Sequence, residues 1–461
     1  MSSETLNPWV QPGQQQGHQQ GQQATAGQTN APTFGQRTGS SSSDGTMALL
    51  AWRYPAGMWG LSVINFVLRI VTLGIYSFWG RTEVRQRLWA SVRFKKEPLV
   101  YTGTGQELLF GFLIIFVVVL LPILLLTTII VFAFGPDSPA AAAIQLAIYF
   151  GVFLLIGMGI YRAQRYRLSR TTWRGIRGSL TGNSATYAWT HFWTLLLILP
   201  TLGWIVPWRS TKLQGIITSN THFGDRAFQF SATAGPLYKS FAVLWLGVAA
   251  IFIVGSSVIS GAVMSATSTG VPGGINAPTP EAEAAKQLVG LTVFVVLVGG
   301  YLFYLVMGAW YRARMINHFA DATTFEGGQF TGRVKGLGLL WIDFSNLIIL
   351  LFGVLLVGGG IAALFFGLGI AQPLVPVDPN TGEPGPAQLA QMAQFVLPIS
   401  LVIIAVAFTL FSPVTQARSM GYLVEHLSLD GHIPVEDILQ STAEQSKTGE
   451  GLAQAFDVDG F

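Results

Sequence analysis

A chain of 461 residues in which 51% are hydrophobic and only 10% are charged, with a mean hydropathy of +0.50, is excluded from the soluble class, whose domains are about 25% charged. Its net charge of +4 conceals a strong segregation of basic from acidic residues, which needs no nucleic-acid reading. The absence of cysteine excludes disulfides, thiolate metal sites and a cysteine nucleophile together.

Residues 1–50 are rich in Gln, Gly, Ser and Thr and cannot bury enough apolar surface to fold, so a disordered cytoplasmic tail is expected. No basic stretch followed by an apolar core and a small-residue cleavage site precedes it, and no cleaved signal peptide is expected. Beyond it, six segments are long enough to cross a bilayer core of about 30 Å: about 107–134, 141–161, 239–265, 285–310, 340–370 and 391–412. They pair through Gly135–Ala140, Ala266–Ala284 and Ala371–Ala390, which hold acidic residues and Pro but no Lys or Arg. The basic residues concentrate instead in Arg81–Lys96, Arg162–Arg177, Arg209–Arg226 and Arg312–Lys335. By the positive-inside rule these face the cytoplasm and the three loops face outward, with both termini cytoplasmic.

Two further apolar stretches, Gly57–Trp79 and Ser184–Trp208, are also long enough to cross, giving an alternative of eight spans. Counting both would move Arg209–Arg226 outside and invert the charge rule. Arg69 lies near the middle of the first stretch, and His191, Pro200 and Gly203 interrupt the second. Both are therefore predicted to be re-entrant or interfacial helices. The fold class is an all-α polytopic membrane protein with three transmembrane hairpins and two such helices.

The chain also repeats. Setting Thr72-Leu73-Gly74 on Thr201-Leu202-Gly203 aligns Asn65 with Thr194, Trp79 with Trp208, Phe94 with Phe223 and Thr104 with Thr233. Trp79 and Trp208 are predicted to anchor at the cytoplasmic interface. A degraded third copy opens at Asn346 and resumes at Ser412-Pro413-Val414, with a hairpin inserted between. The organisation follows: tail 1–50, first membrane repeat 51–183, second 184–335, degraded third repeat 336–431, and an acidic cytoplasmic tail 432–461. Each repeat holds one re-entrant element and one hairpin, so successive copies point the same way. The repeat-signature residues are Asn65, Gly74, Trp79, Gly203, Trp208 and Asn346. Asn65 and Asn346 are expected to make interhelical hydrogen bonds.

A second motif, Thr171-Thr172-Trp173-Arg174-Gly175, returns as Thr323-Thr324-Phe325-Glu326-Gly327 and is echoed by His426-Leu427-Ser428-Leu429-Asp430-Gly431. With these units and the terminal run Gly449 to Asp457, the chain from about residue 50 onward resembles the YjgN family of bacterial inner-membrane proteins, defined by a domain of unknown function. The resemblance implies a multi-pass inner-membrane location and brings no established activity or catalytic residues.

No catalytic, cofactor or metal motif emerges. The six His have no ligand-like spacing, and Gly103-Thr104-Gly105 lacks the end of a phosphate loop. Asp343 lies in an apolar run, with Arg333 and Lys335 near enough for an interfacial ion pair. The expected function is non-enzymatic: a scaffold or regulator that docks anionic lipid headgroups or a membrane protein partner through its basic segments, Arg162, Arg165, Arg167 and Arg170 above all. The alternative is a transporter or lipid-handling protein, for which Ser256, Ser257 and Ser260 are the polar positions in mid-span.

Overall fold

In the computed structural model, which describes residues 49–135, 137–268, 280–367, 386–431 and 433–443, six helical stretches are long and apolar enough to cross a membrane. The N-terminal tail, most of the two longer turn-back loops and the end of the acidic tail lie outside those residues. The first span is α3 (Gly105–Ile115), a π-helical turn over Phe116–Leu120 and α4 (Leu121–Phe134). Pro122 at the start of α4 lacks the N–H an unbroken α-ladder requires, which accounts for the wider turn before it. The other spans are α5 (Pro139–Ser169), α8 (Gly235–Ser268), α9 (Pro280–Asp321), α10 (Gly336–Gly367) and α11 (Pro386–Glu425). Their most apolar windows bury no more than 22% of their residues inside the protein. The remainder needs an apolar solvent, so this is an all-α polytopic membrane protein.

The two ambiguous stretches each break at Thr-Leu-Gly and turn back. The first gives α1 (Met58–Val71) and α2 (Ser77–Ser91), the second α6 (Ser184–Leu196) and α7 (Val206–Ser219). At the first break Leu73 adopts φ 50° and Gly74 φ 91°; at the second, Leu202 and Gly203 adopt 49° and 81°. Gly74 N–H bonds Arg69 O and Leu73 N–H bonds Ile70 O, while Gly203 and Leu202 bond Ile198 O and Leu199 O in the same pattern. This is a Schellman stop, which usually places Gly at the left-handed position where leucine stands here. Leucine there costs about 1–2 kcal/mol, yet Leu73 is 94% exposed, so its side chain is offered to hydrocarbon at the tip of the hairpin. At the second tip Trp245 donates to Leu202 O at 2.7 Å. Trp245 lies ten residues into α8, about 15 Å along it, which sets the tip near half of a ~30 Å core. Both elements turn back on themselves as a re-entrant hairpin does, and six helices long and apolar enough to cross remain among the described residues.

Every helical hairpin is closed by strands at its open end. β1 (Leu50–Trp52) and β2 (Val92–Phe94) flank α1–α2 and pair, with Leu50 opposite Phe94. β4 (Val100–Tyr101) and β5 (Thr171–Trp173) flank the first spanning pair and also join. β6 (Ile176–Leu180) and β7 (Thr221–Phe223) close α6–α7, and β9 (Gln229–Phe230) and β10 (Thr323–Phe325) close α8–α9. β11 (Gly328–Gly332) and β12 (Leu427–Asp430) close α10–α11. With β3 (Glu97–Pro98) and β8 (Arg226–Ala227) the strands form three sheets in chain order. β12 lies beside β1, so the sheets make a ring. Tight turns join its members through left-handed pairs such as Arg174-Gly175 and Glu326-Gly327. These strands are absent from the sequence reading.

The interior of the ring is one apolar core. Trp173, Phe325 and Leu429, the equivalent residues of the repeated second motif, are 1%, 5% and 5% exposed and share it. Phe94 and Phe223, equivalent in the first motif, flank Trp173 at 4.9 and 6.2 Å between ring centres. The repeat therefore brings matching side chains to one centre. Ile433, Val435 and Ile438 enter the same core from the C-terminal segment.

Candidate lipid- and partner-docking face

Because both ends of each hairpin meet the ring, the basic segments of the sequence converge on one end of the helices. Arg162 in α5, Lys212 in α7, Lys239 in α8 and Arg314 in α9 are exposed there. Each lies within four to seven residues of the strand-side end of its helix, roughly 6–11 Å at 1.5 Å per residue. They form a basic collar just beyond the ring, at the level where Lys and Arg stems lie along apolar surface and place the charge in polar surroundings.

The four arginines of the α5 end do not share that role. Arg162 is exposed, but Arg165 donates to Gly182 O, and its guanidinium lies over the Tyr161 ring at 5.4 Å. Arg167 is 7% exposed, and its carbonyl accepts from Thr171 Oγ1 at 2.8 Å. Arg170 meets Glu107 at 2.8 Å, and Tyr166 donates to the other Glu107 oxygen at 2.7 Å. Thr104 caps α3 by accepting from Glu107 N, so Arg170 ties the start of α3 to the end of α5. Three of the four are thus engaged inside the fold.

The signature residues fall into matched places. A Cβ on Gly105 would lie 2.8 Å from Trp79 Cα, so Trp79 packs on the first turn of α3. Trp208 lines a shallow cavity with Thr233 and Ala234 just before α8. Both tryptophans stand at the strand-side start of the next span. Asn65 donates to Gly80 O at 3.4 Å across α1–α2, and Asn346 to Ser419 Oγ at 3.1 Å across α10–α11. Thr194, aligned with Asn65, bonds the backbone of its own helix at Thr190 O.

Asp343 pairs with Arg312 of α9, where the sequence reading offered Arg333 or Lys335. Both candidates lie before α10, whereas Arg312 sits on the neighbouring helix, a proximity that only the packing of α9 on α10 creates. Ser256 and Ser257 are exposed and donate to Ile253 O and Val254 O of their own helix, and Ser260 is exposed as well. His222, His318 and His426 each hold a ring nitrogen at a backbone carbonyl, of Asn220, Thr233 and Tyr422. Among the described residues no three His, Asp or Glu converge as a metal site would need.

With this geometry in place, a family model described as a bacterial protein of unknown function, DUF898, matches residues 57–455. The inner membrane protein YjgN of Salmonella typhimurium (strain LT2) is 29% identical over 58 residues, which are 13% of this chain and 15% of that protein. The match thus spans a small part of the relative's length. No solved structure matches.

Proposed function

Since the chain belongs to the DUF898 family of bacterial proteins of unknown function, we propose that it is an inner-membrane scaffold or regulator whose strand ring and termini face the cytoplasm. Its basic collar docks anionic lipid headgroups, and a membrane protein partner with them, in a binding role without catalysis. The observation that carries this reading is the collar itself: the exposed cations of four different helices lie at one level beside the ring. Juxtamembrane cations of this kind contribute about 1 kcal/mol each toward an anionic leaflet. The name of the Salmonella relative supports the inner membrane as the location. The outward-facing mid-span serines favour docking over a transport path through α8.

Two measurements test it. Reporters fused after residues 95, 175, 225, 325 and 461 should read cytoplasmic, and those at 137, 275 and 380 external. An external signal at 225 would overturn the re-entrant reading and restore eight spans. Replacing Arg162, Lys212, Lys239 and Arg314 together by Gln should reduce the anionic lipid that copurifies with the protein, by roughly 1 kcal/mol per residue neutralised. Unchanged copurification would remove the collar from any docking role.

A further inference from the structure

The cations of the collar are not placed alike. Lys239 of α8 and Arg314 of α9 line one cavity of about 470 Å³, together with Pro236, Ser240 and Trp310. Trp310 and Arg314 stand four apart on one face of α9, and the Arg314 guanidinium lies over the Trp310 ring at 4.9 Å. Such stacking holds the planar group by its face and leaves its N–H edge able to donate. Among the described residues of the lining, none is Asp or Glu, and no carboxylate among the described residues pairs with Lys239 or Arg314. Arg312, two residues before Arg314, is by contrast paired with Asp343.

A spanning hairpin of this kind folds without these side chains. Setting Thr104 on Thr233, and Tyr161-Arg162-Ala163 on Tyr311-Arg312-Ala313, matches Phe110, Gly111, Ile160 and Gln164 with Lys239, Ser240, Trp310 and Arg314. The first spanning hairpin is closed by the same kind of strand pair as the second, yet it carries neither cation nor indole at these places. Two like charges beside one cavity repel each other unless an anion lies between them. The second repeat therefore adds a pair of cations that the hairpin does not need and that an anion would stabilise.

Deeper along both helices the surface is apolar. Val243 and Leu246 continue the Lys239 face of α8 at i+4 and i+7, and Val306 continues the Trp310 face of α9 one turn away. They are 49%, 58% and 38% exposed. Leu246 lies eleven residues into α8, about 16 Å along it, so the apolar strip runs to roughly half the depth of a ~30 Å core. A ligand matched to cavity and strip together is anionic at one end and apolar at the other. Guanidinium groups bind phosphate through two parallel N–H donors, and an ammonium group binds it as a point charge. We infer that the cavity between α8 and α9 binds the phosphate of one anionic membrane lipid, with Lys239 and Arg314 on the headgroup and the acyl chains running past Val243, Leu246 and Val306. This rests on the anionic-lipid reading of the collar and narrows it: one lipid is held here, while Arg162 and Lys212 contribute only general attraction.

The experiment uses the full chain in mild detergent, with phosphatidylglycerol, phosphatidylcholine and inorganic phosphate as probes and native mass spectrometry as the readout. One phosphatidylglycerol adduct should survive activation that strips phosphatidylcholine. K239Q/R314Q should lower its occupancy about tenfold or more, and R162Q/K212Q should leave it intact. R314K keeps the charge but loses the planar fork that stacks on Trp310, and it should lower occupancy several-fold. Equal loss in the two double variants overturns the site and leaves a diffuse collar standing. Loss in neither overturns the site and the collar together, and displacement by millimolar inorganic phosphate overturns the lipid as the source of the phosphate. Should K239Q/R314Q fail to fold, R314K decides: unchanged occupancy there overturns the site.

Discussion

Replacing Trp173 by Ala should cost about 3–5 kcal/mol, the range for emptying a buried aromatic site, and should lower the unfolding midpoint more than any single substitution on the spans. Trp173 is 1% exposed at the centre of the ring, edge-on to Phe94, and its Nε1 donates to Phe94 O at 3.2 Å. The change removes the ring contacts and leaves that carbonyl without its donor. Trp173→Phe provides the internal control, since the equivalent position of the second repeat is Phe325, which is buried in the same core. It should cost roughly 1–2 kcal/mol, chiefly from the lost hydrogen bond and reduced volume. A thermal shift assay in detergent reads both. If Trp173→Ala lay within 1 kcal/mol of wild type, the ring would not be the element that holds the hairpins together.

A second large effect is expected at Gly224. Its φ of +62° is left-handed, and a Cβ there would lie 2.2 Å from Leu439 O and 2.6 Å from Ile438 Cγ2. Asp225 holds the same stretch from both sides, its N–H donating to Leu439 O at 3.1 Å and its carboxylate accepting from Leu439 N–H at 3.0 Å. Gly224→Ala should therefore drive the segment around Leu439 off the ring, adding a backbone penalty of about 1–2 kcal/mol to a clash that no side-chain rotation relieves. Hydrogen exchange at Leu439 and protease cleavage in 433–443 should both rise steeply. Asp225→Ala, which removes one acceptor, should raise them modestly, by about 1 kcal/mol in opening free energy. Equal protection in Gly224→Ala and wild type would show that the segment is not seated on that turn.

Much of this architecture is legible in the residues because the signals behind it are local. A run of about 20 apolar residues reports a span, and the side on which Lys and Arg gather reports its orientation. Thr-Leu-Gly reports a stop, because Gly74 and Gly203 accept the backbone that a reversal imposes. Even the re-entrant character of the two ambiguous stretches follows from charge, through Arg209–Arg226.

The ring was hidden for a different reason. Its strands are two to five residues long, too short for a two-residue period to register, and their partners are distant in the chain: Leu429 pairs with Phe330, and Phe230 with Thr323. The one local trace was the repeated Thr-Thr-aromatic-x-Gly, in which β-branched residues precede a left-handed turn. Distance in sequence also concealed Arg312 as the partner of Asp343, and the meeting of Lys239 with Arg314 at one cavity. Hydropathy and charge determine which segments enter the membrane and from which side, since each is a sum over neighbouring residues. Which side chains then face one another is decided only when the hairpins pack and their ends pair, since those contacts join residues up to more than three hundred positions apart.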